Sequence, residues 1–350
     1  MSQTSGRRRA AIPTPGPVAR WRGRVEALGA SRLPVVAWFV LVGLGVVLLG
    51  LRAADLGPRV LADVGSVVVA SAFSWSLAAR TGGRPVLFGG LAAILGTAAV
   101  VTDLDELRTG AAVLTCSVAA VLGVMVTVPA RRFRVAVREV LIASVVGAVG
   151  AMASLGFEPV VRLARFEYAT LTIALAASFA VVWRLGAGLH GLGRRGLVVV
   201  LGGAALLAVA LTYAELLRSY GSPGLVESVL SSVSDVRATL GAVPRPTQAF
   251  IGIPALVWGC HMRARRRQGW WVCAFGVAAL LPLAHGLVNP AASLLEVVLS
   301  FGYGLVLGLA LGYVVIRVDL ALTGPRGARA RREEEASARR PEPSRTRALL

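Results

Sequence analysis

PVVAWFVLVGLGVVLLGL, residues 34–51, carries no charged or strongly polar side chain over its whole length. A helix built from it is apolar on every face and has no side to turn toward water. Crossing the hydrocarbon core of a bilayer takes roughly 20 such residues. The stretch therefore predicts a membrane-spanning helix, because a helix is one of the few structures that satisfies its own backbone away from water.

Comparable runs recur at 60–79, 85–102, 110–129, 137–156, 166–185, 196–217, 247–262, 269–287 and 293–316. The predicted fold is all-α: a polytopic transmembrane bundle of about ten spans. The whole chain agrees, since its 350 residues are 56% hydrophobic and only 16% charged, with a mean hydropathy of +0.71. Soluble domains do not reach that balance. The run at 247–262 is the shortest and holds Pro254.

A net charge of +19 raises the question of nucleic acid. The arginines answer it by their distribution, and the chain has no lysine. With the N-terminus inside and ten crossings, 29 of the 37 arginines fall in inside segments and 11 of the 18 acidic residues fall outside. That is the positive-inside pattern of a plasma-membrane protein with both termini in the cytoplasm. Nine spans would strand the nine arginines of the C-terminal segment outside. The basic excess is topology, and no nucleic-acid partner is expected.

Three regions divide the chain: a basic cytoplasmic segment at 1–32, the bundle at 33–317 and an arginine-rich tail at 318–350. Trp21, Val25 and Leu28 have the spacing of a short interfacial helix. The tail holds Pro325, Pro341 and Pro343 and lacks apolar periodicity, so it reads as disordered apart from the charge run Arg331–Glu335. The external loop at 218–246 differs. Ser222-Pro223 is a start signal, Gly241 and Pro244 are stop signals, and Leu225, Val229, Val233, Val236 and Leu240 recur at helical spacing. An amphipathic helix is predicted there, lying on the outer membrane surface or over the bundle, as a packed surface helix or as a lid over a binding site.

The last span offers a packing row in Ser300, Gly304, Gly308 and Gly312, small residues that let a neighbouring backbone approach. One turn outward the row reaches Glu296. Two readings follow: a proton- or substrate-binding acid held against a neighbour, or a carboxylate favoured in the first turn of its helix. In the second span Arg59 and Asp63 lie one turn apart, as a local ion pair or as a transport site. Pro254 and Pro282 mark interrupted spans, a pointer to transporter binding sites, and His285 follows Pro282 by one turn. Asp63, His285 and Glu296, with Tyr213 and Glu215, all fall at the outer side and are the candidate lining of one polar pocket.

Arg263, Arg265, Arg266 and Arg267 run into Trp270-Trp271, an anchor suited to anionic lipid headgroups. The sequence has no phosphate-binding glycine loop, no H-E-x-x-H, no CxxC pair and no serine elbow. Cys116, Cys260 and Cys273 sit apart in apolar runs, and His190, His261 and His285 are equally scattered. No catalytic residue, cofactor or metal is expected.

ALVWG at 255–259, RARRRQGWWVCAFG at 263–276 and the tail pieces TGPR at 323–326 and PEP at 341–343 resemble uncharacterised actinobacterial integral membrane proteins. That resemblance implies a bacterial polytopic membrane protein and brings no activity or site residues with it. Ten spans with cytoplasmic termini also resemble the architecture of drug/metabolite transporters, although the halves show no internal repeat and the 218–246 loop is atypical there. Two functional classes follow. One is a permease or translocator of a small molecule or lipid. The other is a non-catalytic membrane scaffold or accessory subunit of an envelope or division complex, with its tails available to a protein partner.

Overall fold

The computed structural model describes residues 33–185, 223–262, 270–337 and 343–349. The expected interfacial helix near Trp21, the run at 196–217 with Tyr213 and Glu215, Ser222, and the arginine cluster at 263–267 lie outside them.

The described residues form helices α1 (Leu33–Ala53), α2 (Arg59–Arg80), α3 (Pro85–Thr102), α4 (Asp105–Met125), α5 (Phe133–Met152), the short α6 (Ser154–Phe157), α7 (Leu163–Arg184) and α8 (Pro223–Leu240). A π-helical turn at Thr247–Gly252 leads into α9 (Ile253–Met262), followed by α10 (Trp270–Leu280), α11 (Pro282–Val288) and α12 (Leu294–Ser337). Seven are long and apolar enough to cross a membrane: α1, α2, α3, α4, α5 continued by α6, α7, and the Leu294–Leu322 part of α12. The protein is thus an all-α polytopic membrane protein.

The two proline-marked runs stay helical through irregular turns. Pro254 is the second residue of α9, directly after the π turn, where a missing N–H is tolerated. Pro282 opens α11 after a turn at Leu281.

α4 is the central helix. Its buried face is built largely of Ala112, Val113, Cys116, Ala119 and Ala120, and these small side chains let neighbours close in. Gly150 of α5 lies against Ala119, and Gly123 of α4 faces the Ala143 carbonyl of α5, which a Cβ would approach to 3.0 Å. α1 and α2 approach through Gly45 and Gly65, each facing the other's carbonyl oxygen. α1, α3 and α12 lie at the periphery and expose apolar side chains such as Phe39, Ile94 and Val306. Such a surface suits surrounding hydrocarbon.

Two segments differ from the sequence reading. The apolar positions Val233, Val236 and Leu240 of α8 are exposed, so this stripe is not packed on the bundle. The helix does end at Gly241, whose φ of 75° only glycine adopts freely. The tail expected to be disordered from 318 continues α12 through Ser337, and 343–349 then lies against the bundle. Alanine, arginine and glutamate dominate 328–336, all strong helix formers, and Arg331–Glu335 is an i,i+4 pair. Those terms outweigh the polarity that suggested disorder.

Candidate functional site

A pocket of about 150 Å³ lies beside the π turn before α9, the end of α11 and the start of α12. Its polar lining is Arg245, Gln248, Asn289, Glu296 and Ser300, and its apolar lining includes Pro282, Val297 and Phe301.

Each polar group is held by its own local structure. Asn289 ends α11, and its Oδ1 accepts the Ala291 N–H at 3.1 Å, closing a turn. Ser293 caps α12: its hydroxyl accepts the Glu296 N–H at 3.2 Å, in the S-x-x-E arrangement of a capping box. The Glu296 carboxylate reaches sideways to Arg237 of α8 at 2.6 Å. Ser300 donates to the Val243 carbonyl at 2.7 Å. Arg245 pairs with Glu167 of α7 at 3.3 Å.

Gln248 is the exception. It is fully buried on the π turn, and its amide nitrogen donates to the Phe301 carbonyl over a long 3.4 Å. Its Oε1 is also buried and has no hydrogen-bond partner among the described residues. Buried polar atoms are nearly always paired, so an open acceptor in a pocket wall calls for a partner. The glycine row explains why the amide sits so deep. A Cβ on Gly304 would lie 2.9 Å from Gln248 Oε1, and Cβ atoms on Gly308 and Gly312 would lie 2.6 Å from Ile253 Cβ and 2.9 Å from Val257 Cβ. Ser300, Gly304, Gly308 and Gly312 therefore face the π turn and α9.

His285 lies behind the pocket wall, between Pro282 and Gly286. The Thr170 hydroxyl donates to the Phe166 carbonyl at 2.8 Å, which leaves its oxygen to accept Nε2–H of His285 at 2.9 Å. The Phe166 ring packs edge-on against the imidazole. His285 Nδ1 stands 3.8 Å from Glu167, beyond hydrogen-bond reach. The histidine joins α11 to α7 and borders the pocket.

Asp63 does not line this pocket. It is buried on α2 and pairs with Arg108 of α4 at 3.2 Å, not with Arg59. Arg108 also binds Asp103 at 2.6 Å and donates to the Gly156 carbonyl at 3.0 Å. Arg59, half-exposed, turns to Asp103 at 3.3 Å and Glu158 at 3.2 Å. Asp63 points into the bundle while Arg59, at the helix start, points toward the loops. Asp55, Asp103 and Glu158, which belong to this network, all adopt left-handed backbone conformations at helix ends. The network clamps the ends of α1 through α4 and α6.

Of the three outer candidates, the structure puts Glu296 in the pocket wall, His285 beside it and Asp63 in the clamp. Arg108, Glu167, Thr170, Arg245 and Gln248 were not picked out by the sequence reading. Of these, Glu167, Thr170 and Gln248 had a usable signal, as polar side chains inside predicted apolar runs.

Among the described residues no group of three metal-capable side chains converges. Compared with known protein families, with curated proteins and with solved structures, the chain shows no match. What stands is the class: an all-α membrane protein whose bundle carries a small polar pocket beside a π turn.

Proposed function

We propose that the protein is a permease of the bacterial plasma membrane that takes a small polar molecule into the Gln248 pocket. The observation that carries this reading is the fully buried Gln248 on a π turn in the wall of a polar pocket, its Oε1 without a hydrogen-bond partner among the described residues. π turns inside helices are frequent at functional sites. Arg245, Asn289 and Ser300 supply further polar contacts, and Glu296 holds the rim through Arg237. The reading includes about ten spans, counting 196–217 and the two proline-marked runs, with both termini cytoplasmic. The arginine distribution supports that orientation. So does the position of 343–349, which lies beside Arg80, Arg138 and the loop at 126–132, all assigned to the inner side.

A permease site must be reachable from both membrane faces. Ser300→Cys places a thiol in the pocket, while Cys116, Cys260 and Cys273 are buried. A membrane-impermeant thiol reagent applied to right-side-out and to inside-out vesicles is expected to modify it in both. Modification from one face alone overturns the permease reading and favours the scaffold.

A further inference from the structure

At the opposite end of the bundle from the pocket rim, where α2 and α4 finish and α5 begins, two buried charged side chains face one short peptide. Glu139, in the second turn of α5, is fully buried. Its carboxylate accepts the Val128 N–H at 3.0 Å, the neighbouring Arg138 guanidinium at 2.9 Å, and Arg345 at 2.7 and 2.9 Å. Arg345 thus meets both carboxylate oxygens. Arg80, the last residue of α2, is also buried. Its Nε donates to the Met125 carbonyl at 2.9 Å, and its terminal nitrogen donates to the carbonyls of Ser344 and Arg347. The Arg80 carbonyl accepts the Leu349 N–H at 2.8 Å, and Leu349 packs against the core.

We infer that Pro343–Leu349 is a tethered, exchangeable ligand of a peptide site in which Glu139 receives a guanidinium and Arg80 receives backbone carbonyls. The bundle side of this contact is built from the ends of three helices, and its recognition groups are buried. The ligand side is a short piece of chain whose Ser344, Thr346, Arg347 and Ala348 are exposed. A buried carboxylate is stable only with partners in place; Arg138 and the Val128 N–H stay with Glu139 when Arg345 leaves, and a second guanidinium completes the site. The contact also spans what it joins, since one peptide binds α2 through Arg80 and α5 through Glu139. While bound, it holds those two ends and the end of α4 together; once released, it frees all three. Residues 338–342 alone separate α12 from the peptide. Such a short connection keeps the effective concentration of the tether near millimolar, which a free competitor has to exceed.

Two measurements on the full-length chain in detergent test the site. Tryptic cleavage after Arg345 requires its side chain to leave Glu139 and enter the protease's acidic pocket. Glu139→Gln is expected to accelerate this cleavage at least tenfold over wild type, and equal rates overturn the proposal. The second measurement follows the fluorescence anisotropy of a labelled PSRTRAL peptide. The Arg345→Ala chain, with its own ligand disabled, is expected to bind the peptide at least tenfold more tightly than wild type does. No binding to the Arg345→Ala chain overturns exchangeability and makes the segment a fixed part of the fold. This second measurement stands alone if Glu139→Gln fails to yield a folded chain.

Discussion

Gly308 and Gly302 lie on the same helix, six residues apart, and the structure assigns them opposite tolerances. A Cβ on Gly308 would sit 2.6 Å from Ile253 Cβ and 3.2 Å from the Ala249 carbonyl oxygen, while a Cβ on Gly302 meets nothing within 4 Å. Carbon atoms rest about 3.5–4.0 Å apart, so alanine at 308 forces α9 and α12 to separate by roughly 1 Å. Overpacking of that kind costs about 1–3 kcal/mol. Both glycine-to-alanine changes gain the same helix propensity, about 1 kcal/mol. That gain cancels in the difference between the two variants, which then reports the steric term alone: about 2 kcal/mol, with Gly308→Ala the less stable. Leucine adds bulk that only position 302 has room for, so the gap widens to about 3 kcal/mol or more. At about 1–2 °C per kcal/mol for a chain of this size, the alanine pair should differ by about 2–4 °C in Tm. Thermal unfolding of the purified chain in detergent measures it. Equal Tm values for the two variants would mean that the glycine row does not face α9, and the depth assigned to Gln248 would fall with it.

The same assay separates the two arginines near Asp63. Asp63→Asn leaves Arg108 buried without its principal counter-charge and should cost about 3 kcal/mol, whereas Arg59→Gln removes a half-exposed partner and should cost less than about 1 kcal/mol. The reverse order would restore the local Arg59–Asp63 pair. Glu296→Gln breaks a partly exposed ion pair with Arg237, so Tm should fall by no more than the equivalent of about 1 kcal/mol. In the Ser300→Cys background the same change should raise thiol reactivity several-fold, because it unties α8 from the pocket rim. An unchanged reaction rate would remove α8 from any part in access.

The helices were legible because a spanning segment writes its own pattern. The run at 34–51 becomes α1 at 33–53, and 60–79 becomes α2 at 59–80. Local stop chemistry was legible too, at Gly241 and at Pro282. What the sequence did not disclose are the partners. Asp63 and Arg108 lie 45 residues apart, and Glu139 and Arg345 lie 206 apart. Asp63 passes over the nearer Arg59, and Glu139, already joined by its neighbour Arg138, takes the distant Arg345 as well. Helix packing, not sequence distance, decides which guanidinium a buried carboxylate meets. The π turn was equally silent, since one extra residue in a helical turn leaves no compositional trace. It shifts the direction of the side chains that follow, and Gln248 lies buried within it.

The outer candidates separate into different roles because each is held by a different partner. Glu296 follows a serine cap, so its backbone is anchored at the start of α12, and its carboxylate is committed to Arg237. Asp63 is committed to Arg108, and His285 to Thr170. All three ionisable residues that attract attention in the sequence are therefore engaged with the protein itself. The group in the pocket with an unused hydrogen-bonding atom is the uncharged Gln248. An amide can be buried at far lower cost than a carboxylate, and it still offers both a donor and an acceptor to a solute. Ion pairs hold the helix ends, and a neutral amide stands in the pocket wall alongside Arg245 and Glu296, each already paired elsewhere.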